Sequence, residues 1–224
     1  MLATVLSGQE YVINIFGITC VQVEMEHPAP GQLDFRTRTV GLLDTIWPVD
    51  NTYSTSYDTA TFVAKSYTKQ IRQKKFLQTL KFVTDDNTGT IKYDKTAAIR
   101  RPENVQTIFT VLARVGQEAP EQLDTHWFPM EHEGQPNRVR LLWAGSATIK
   151  IAGKSYECNH YRLDIESADG QKENILTRSD YFSEYIVHPD AMRQLWVESD
   201  GQRRIIQATV KLFGITLEAQ LSDG

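Results

Sequence analysis

The chain has 224 residues, 41% of them hydrophobic and 23% charged, with a net charge of −4 and two cysteines. That composition is ordinary for a globular protein and the length suits one large β domain. The negative net charge argues against nucleic acid as the main partner, because duplex binding needs a basic footprint. No apolar run reaches the ~18 residues of a membrane-spanning helix. Cys20 and Cys158, far apart, form no disulfide framework and read as two buried free thiols, with a mutual bond as the alternative.

Residues Tyr11 to Glu24 alternate, placing Tyr11, Ile13, Ile15, Thr19, Val21 and Val23 on one face of a predicted strand. His27-Pro28-Ala29-Pro30-Gly31 breaks it. Phe35 to Ile46 reads as the next strand, ended by Trp47-Pro48. Shorter strands are expected over Tyr53 to Tyr57, Ala60 to Ser66, Tyr67 to Arg72, and Lys75 to Val83, where Phe76, Leu80 and Phe82 share a face. Asp85-Asp86-Asn87-Thr88-Gly89 is a turn cluster returning the chain as Thr90 to Tyr93. The basic residues Lys69, Arg72, Lys74 and Lys75 read as a solvated strand edge, where lysine also deters edge-to-edge pairing.

A helix is predicted from Pro102, whose missing N–H suits a first turn. Val105, Ile108, Phe109 and Leu112 form one apolar stripe, and Gly116 ends it with Arg114 in the last turn. Strands resume over Val139 to Ile151, then Tyr156 to Glu166 after a Gly153-Lys154 turn. Asp169-Gly170 is expected to lead into a strand over Glu173 to Thr177, and Asp200-Gly201 to join Gln194–Glu198 to Arg203–Leu212. Without a βαβ rhythm, neither a parallel sheet nor a Rossmann site is expected. Ile15-Phe16-Gly17-Ile18-Thr19 is echoed by Leu212-Phe213-Gly214-Ile215-Thr216. A Gly within a strand marks a bulge or close approach, so these two strands are expected to lie side by side. The whole, residues 1–224, reads as a single β domain: all-β, mainly antiparallel, a barrel or sandwich with one packed α-helix near residues 102–115.

Three segments carry a family resemblance. They are the opening strand from Tyr11 to Ile18, the Val105–Arg114 helix, and the Trp-bearing hairpin Leu195–Ile206, followed by Gly214. Their order resembles the exported bacterial domain of unknown function numbered three-one-zero-eight, with YmcC-like β barrels or sandwiches. The resemblance implies the periplasm or cell envelope, and brings no catalytic residues with it. Two departures stand out: Pro48 interrupts a stretch where the family reads on, and the family's leader is not seen. Met1 to Leu6 is apolar but lacks a basic n-region and is too short for an h-region. Gly17-Ile18-Thr19-Cys20 lacks the hydrophobic leader of a lipidation box. The cytoplasm is therefore the alternative location.

No motif for chemistry is complete. Cys158 and His160 alternate onto one strand face, a spacing that suits metal ligands, but no CxxC, HExxH or His pair completes a set. His126 and His132, with Glu131 and Glu133, are placed in an irregular loop, and His27 follows Glu24 and Glu26. Gly145-Ser146-Ala147 lacks the nucleophile elbow. As a Cys–His pair, Cys158 and His160 would be roughly 6–7 Å apart at Cα, with nothing to orient the imidazole. Paired acids such as Asp164/Glu166, Glu131/Glu133 and Asp85/Asp86 read as solvated turns, and neither phosphate-binding Gly loop occurs. Trp47, Trp127, Trp143 and Trp196, with nine Tyr and nine Phe, form the β core, or line a cavity for a small ligand.

The expectation is a binding, carrier or assembly module rather than an enzyme, with no cofactor or metal. Its partner would be a lipid-like molecule, an envelope polysaccharide or an outer-membrane component. The residues carried forward as weak binding candidates are Cys158, His160, Arg162 and Trp143. The alternatives are a hydrolytic or metal-dependent enzyme using the Cys158–His160–Arg162 face, and a structural protein pairing through an edge strand.

Overall fold

Apolar residues at every second position, punctuated by turns, build two antiparallel meanders joined into one sheet. The computed structural model describes residues 8–85, 87–94 and 98–222; Met1–Leu6 and Asp86 lie outside the described residues. The first half comprises β1 (Gln9–Ile15), β2 (Ile18–Glu26), β3 (Gln32–Thr39), helix α1 (Gly41–Ile46), β4 (Asp50–Tyr57), β5 (Ala64–Gln73), β6 (Phe76–Asp85), β7 (Thr90–Tyr93) and β8 (Ile99–Arg100). Then come α2 (Ile108–Val115), α3 (Pro120–Leu123), β9 (Trp127–His132), β10 (Gln135–Ile151), β11 (Lys154–Ser167), α4 (Tyr181–Val187), β12 (Met192–Glu198), β13 (Ile205–Leu212) and β14 (Ile215–Leu221).

All these strands belong to one sheet in the order β8-β7-β6-β5-β4-β3-β2-β1-β14-β13-β12-β11-β10-β9. Its two edges, β8 and β9, do not pair, so the sheet is not closed. The segment between them fills the seam. The Val105 carbonyl accepts from Ala64 N at the start of β5 at 3.0 Å, and Gln106 exchanges hydrogen bonds of 2.9 and 2.8 Å with Pro129 and Glu131 of β9. The chain then turns inward as α2.

That helix differs from the expected stripe. It starts at Ile108, not Pro102, because Thr107 and Thr110 form a reciprocal capping box. Six of its residues are buried, including Thr110. The helix thus occupies the space inside the curled sheet instead of packing one face on it. Phe109 is its anchor, with ring centroids 5.0 Å from Phe35, 5.1 Å from Tyr53 and 5.8 Å from Tyr67.

The echoed pentapeptides prove to be hairpins. Phe16-Gly17 has φ of 52° and 78°, and Phe213-Gly214 has 50° and 80°. Positive φ at both central residues is the two-residue turn that matches strand twist. Tyr11 to Glu24 is therefore two strands, and neither glycine lies within one. The expected adjacency holds: β1 pairs with β14 from Tyr11↔Leu221 to Ile15↔Leu217. It lies in the middle of the sheet and not at its margin.

Other boundaries shift for local reasons. The strand predicted through Ile46 stops at Thr39, whose hydroxyl donates to Asp44 at 2.9 Å across the start of α1. The turn placed at Gly153-Lys154 is Ala152-Gly153, with φ of 48° and 84°. Glu173 to Thr177 is not a strand. It lies along the β9–β10 turn, Glu173 N donating to Gly134 O at 2.9 Å. Asp200-Gly201 sits in a longer connection between β12 and β13.

Candidate functional site

Along β5, burial alternates so that Tyr67, Lys69, Ile71 and Gln73 point inward. Lys69 is therefore not on a solvated edge: β5 lies between β4 and β6, and the Lys69 side chain is fully buried. Arg72, Lys74 and Lys75 are exposed. A buried ammonium must be paired. Its Nζ lies 2.7 Å from Asp180 Oδ2, 2.9 Å from Ser179 Oγ and 3.2 Å from Ser183 Oγ, and it also pairs with Glu133. Asp180 caps α4, accepting from Ser183 N at 3.2 Å, and accepts the Tyr53 hydroxyl at 2.9 Å. Ser179 donates to Glu133 at 2.9 Å. The cluster ties α4 to β5 and to the β9–β10 turn.

A second buried pair closes the seam. Glu131, on β9, is paired with Arg101, just after β8. The same carboxylate accepts from the Tyr93 hydroxyl and from Gly134 N, each at 2.6 Å. Arg101 also donates to the carbonyls of Gln171 and Gly134, at 2.8 and 3.1 Å. His132 and Glu133 follow on β9 and its tight turn, not in an irregular loop.

Between the clusters lies a crevice. Tyr67, Phe82, Ile108 and Phe109 wall it, Phe182 of α4 covers one side, and His132, Glu133 and Ser183 supply a polar margin. Its free volume is about 10 Å³, the room of about one water. Two clefts along the seam are larger and somewhat more open, about 200 Å³ beside Trp127 and Phe128 and about 540 Å³ beside Asp58 and Lys65.

Burial would raise the Asp180 carboxyl, yet the Lys69 charge and hydrogen bonds from Lys69 and Ser183 outweigh it and hold the group low. Burial, reinforced by the nearby carboxylates, pushes the Tyr53 and Tyr67 phenols well up. It also lowers the His132 imidazole, with Glu133 opposing and Lys69 assisting. The arrangement is a buried ion-pair network that ties α4 to the sheet.

The residues singled out from sequence stand apart from this crevice. Cys158 is buried in the core, its thiol 3.5 Å from Tyr156 O and pushed up to about 11 by burial and by Glu198 and Glu157. The His160 ring stacks on Trp196 at 4.5 Å, with Nε2 3.2 Å from Gln194 Oε1. Arg162 is exposed and forks onto Asp164. Trp143 donates Nε1 to Asn159 at 3.2 Å. Among the described residues no hydrogen bond, ion pair or ring contact joins Cys158, His160 and Arg162, and no group of three His, Cys, Asp or Glu is placed to hold a metal. Sequence reasoning missed Lys69 and Asp180. The signal for Lys69 was there, a lysine in phase with Tyr67 and Ile71.

The fold is shared with known structures. A β-barrel-like protein of the domain of unknown function DUF1849 from Brucella abortus superposes with a TM-score of 0.61 at 11% identity, covering 96% of this chain and 95% of that one. The hypothetical lipoprotein YmcC from Escherichia coli aligns at TM-score 0.35 and 11% identity, over 98% and 85% of the two chains. The lipoprotein LppX from Mycobacterium tuberculosis aligns at 0.33 and 11%, over 97% and 85%. At such identity the first likeness speaks for the fold, and the other two scores carry no argument. No curated protein matches the sequence. The family model described as "Protein of unknown function (DUF3108)" matches residues 12–220, so the chain belongs to that family.

Proposed function

We propose that this chain is a non-enzymatic cell-envelope module that binds an apolar, lipid-like ligand beneath α4, as a carrier or assembly component. The envelope assignment follows the family resemblance, which implies export. The observation carrying the binding reading is the crevice itself: aromatic walls roofed by Phe182 on a short helix. That helix buries only Ser183 and Ile186, and is tied by the Lys69–Asp180 pair at its N-terminal end and by Arg193, which donates to the Ile186 and His188 carbonyls, at its C-terminal end.

The energetics allow the roof to lift. Separating the buried pair costs at most what losing one partner would, about 3–5 kcal/mol, exposing Ile186 about 2 kcal/mol, and releasing the two Arg193 hydrogen bonds about 1.5 kcal/mol each. An acyl chain returns ~0.8 kcal/mol per buried methylene, so roughly ten to twelve methylenes offset the opening. Titration with the fluorescent fatty acid cis-parinaric acid tests this. Saturable binding is expected, tightened when Lys69→Met weakens the network. Absence of saturable binding by either protein, with no co-purified ligand in a native mass spectrum, would overturn it.

A further inference from the structure

The end of the sheet at which α4 lies has an unusual surface. Register places the Phe16-Gly17 and Phe213-Gly214 turns side by side there, with α1 beyond the adjacent β3 and the Lys74-Lys75 turn beyond β5. Of the eleven large apolar side chains exposed among the described residues, nine are at this end; only Val83 and Trp143 are elsewhere. Phe16, Ile18 and Phe213 are 81%, 68% and 75% exposed on the hairpin tips. Leu42 and Ile46 project from α1, and Tyr181 and Phe182 from α4.

The fold does not call for these residues. A turn position with positive φ favours Asn, Asp or Gly, and disfavours a bulky side chain. Phenylalanine stands there twice, touching little: Phe213 has an edge contact with His188 and Phe16 points into solvent. Single exposed apolar residues need no explanation, but a concentration of them does.

Their company indicates the partner. Leu77 is opposite Arg72 and Met192 opposite Lys211 in the sheet register. With Lys74, Lys75 and Arg178, also exposed at this end, that makes five exposed cations against three exposed acids, Asp44, Glu184 and Asp190. This end is thus net positive in a chain of net charge −4. Behind the tips, Trp47 meets Tyr181 edge-on at 6.2 Å and carries Lys74 over its ring. Apolar points ahead of Trp and Tyr, interspersed with cations, are the composition of a surface that enters the headgroup region of an anionic bilayer. The shape agrees: separate projecting tips need a partner with matching pockets to form a close-packed protein interface, whereas fluid lipid conforms to them.

We propose that this end docks onto a membrane surface carrying anionic headgroups, with Phe16 and Phe213 inserted. The proposal does not depend on a ligand under α4. Flotation with vesicles of phosphatidylethanolamine and phosphatidylglycerol tests it. The wild-type protein is expected to float with them, and less with phosphatidylcholine alone. Phe16→Asn together with Phe213→Asn, which suits both turns, should cut the bound fraction roughly tenfold or more, given the transfer energy of two aromatic rings. Val83→Asn should leave it unchanged. The proposal is overturned if the wild type does not float, if the double variant floats as well as the wild type, or if Val83→Asn is equally impaired. It is also overturned if light scattering shows a dimer that the double variant abolishes and vesicles do not compete for.

Discussion

Lys69 Nζ and Asp180 Oδ2 lie 2.7 Å apart with neither side chain exposed, joining strand β5 to the cap of a helix 111 residues further along the chain. Removing one member leaves charges buried without their counter-ion. Lys69→Met is expected to destabilise the fold by about 3–5 kcal/mol, read as a lower urea midpoint. Neutralising the orphaned acids as well, with Glu133→Gln and Asp180→Asn, should recover much of that loss.

The same pair sets a pH dependence. Asp180 is held below the ordinary 3.8 of a free carboxyl, so the folded chain binds its proton less readily than the unfolded chain. Its contribution is therefore complete above the unfolded value and is lost as pH falls through the folded one. Melting temperature should drop between about pH 5 and about pH 2, with Asp180→Asn, starting less stable, showing a shallower decline.

Gly134 has φ of +89°, and a Cβ there would lie 2.3 Å from the Glu173 carbonyl oxygen and 2.5 Å from Ile175. Gly134→Ala should therefore cost more than the about 1–3 kcal/mol of backbone strain alone. Gly153→Ala, with φ of +84° and open space around it, should show only the strain. Thermal denaturation of the two variants separates clash from conformation.

Cys20 and Cys158 are both free, the first half-buried and the second in the core. With its thiol pushed up to about 11 by burial, Cys158 should resist iodoacetamide at neutral pH in native protein. Cys20 should be labelled first, and both should react in denaturant. Mass spectrometry of the digested, labelled protein gives the ratio.

The antiparallel strands were legible because period-two alternation and turn residues are local signals. Tyr11 with Val23 and Phe76 with Leu80 and Phe82 show it. The boundaries were less so. Phe16-Gly17 looked like a strand interior because Phe is a strand former, and only the paired positive φ values make it a turn. The start of α2 was misplaced because Pro102 is a strong signal, whereas Thr107 and Thr110 cap the helix through a reciprocal pair that is weak in sequence.

The candidate site was scarcely legible. Cys158, His160 and Arg162 share a strand and were grouped by spacing, but stacking on Trp196 and pairing with Asp164 draw the last two into separate local contacts. Lys69, Glu133 and Asp180 are 64 and 111 residues apart from lysine to acid, and no local pattern joins them.

By itself, then, the sequence determined an antiparallel β protein and its family, because alternation and turn chemistry act over a few residues; the pairing of its first and last strands was expected from the Gly-centred echo, whose glycines prove to be in turns. Tertiary structure alone decided that the sheet stays open at β8 and β9, that α2 fills its interior, and that Lys69 is buried. Those outcomes depend on which distant groups can satisfy one another's charges and hydrogen bonds once water is excluded. The apolar tips belong to both: Phe16 and Phe213 are plain in the sequence, and only the strand register places them together.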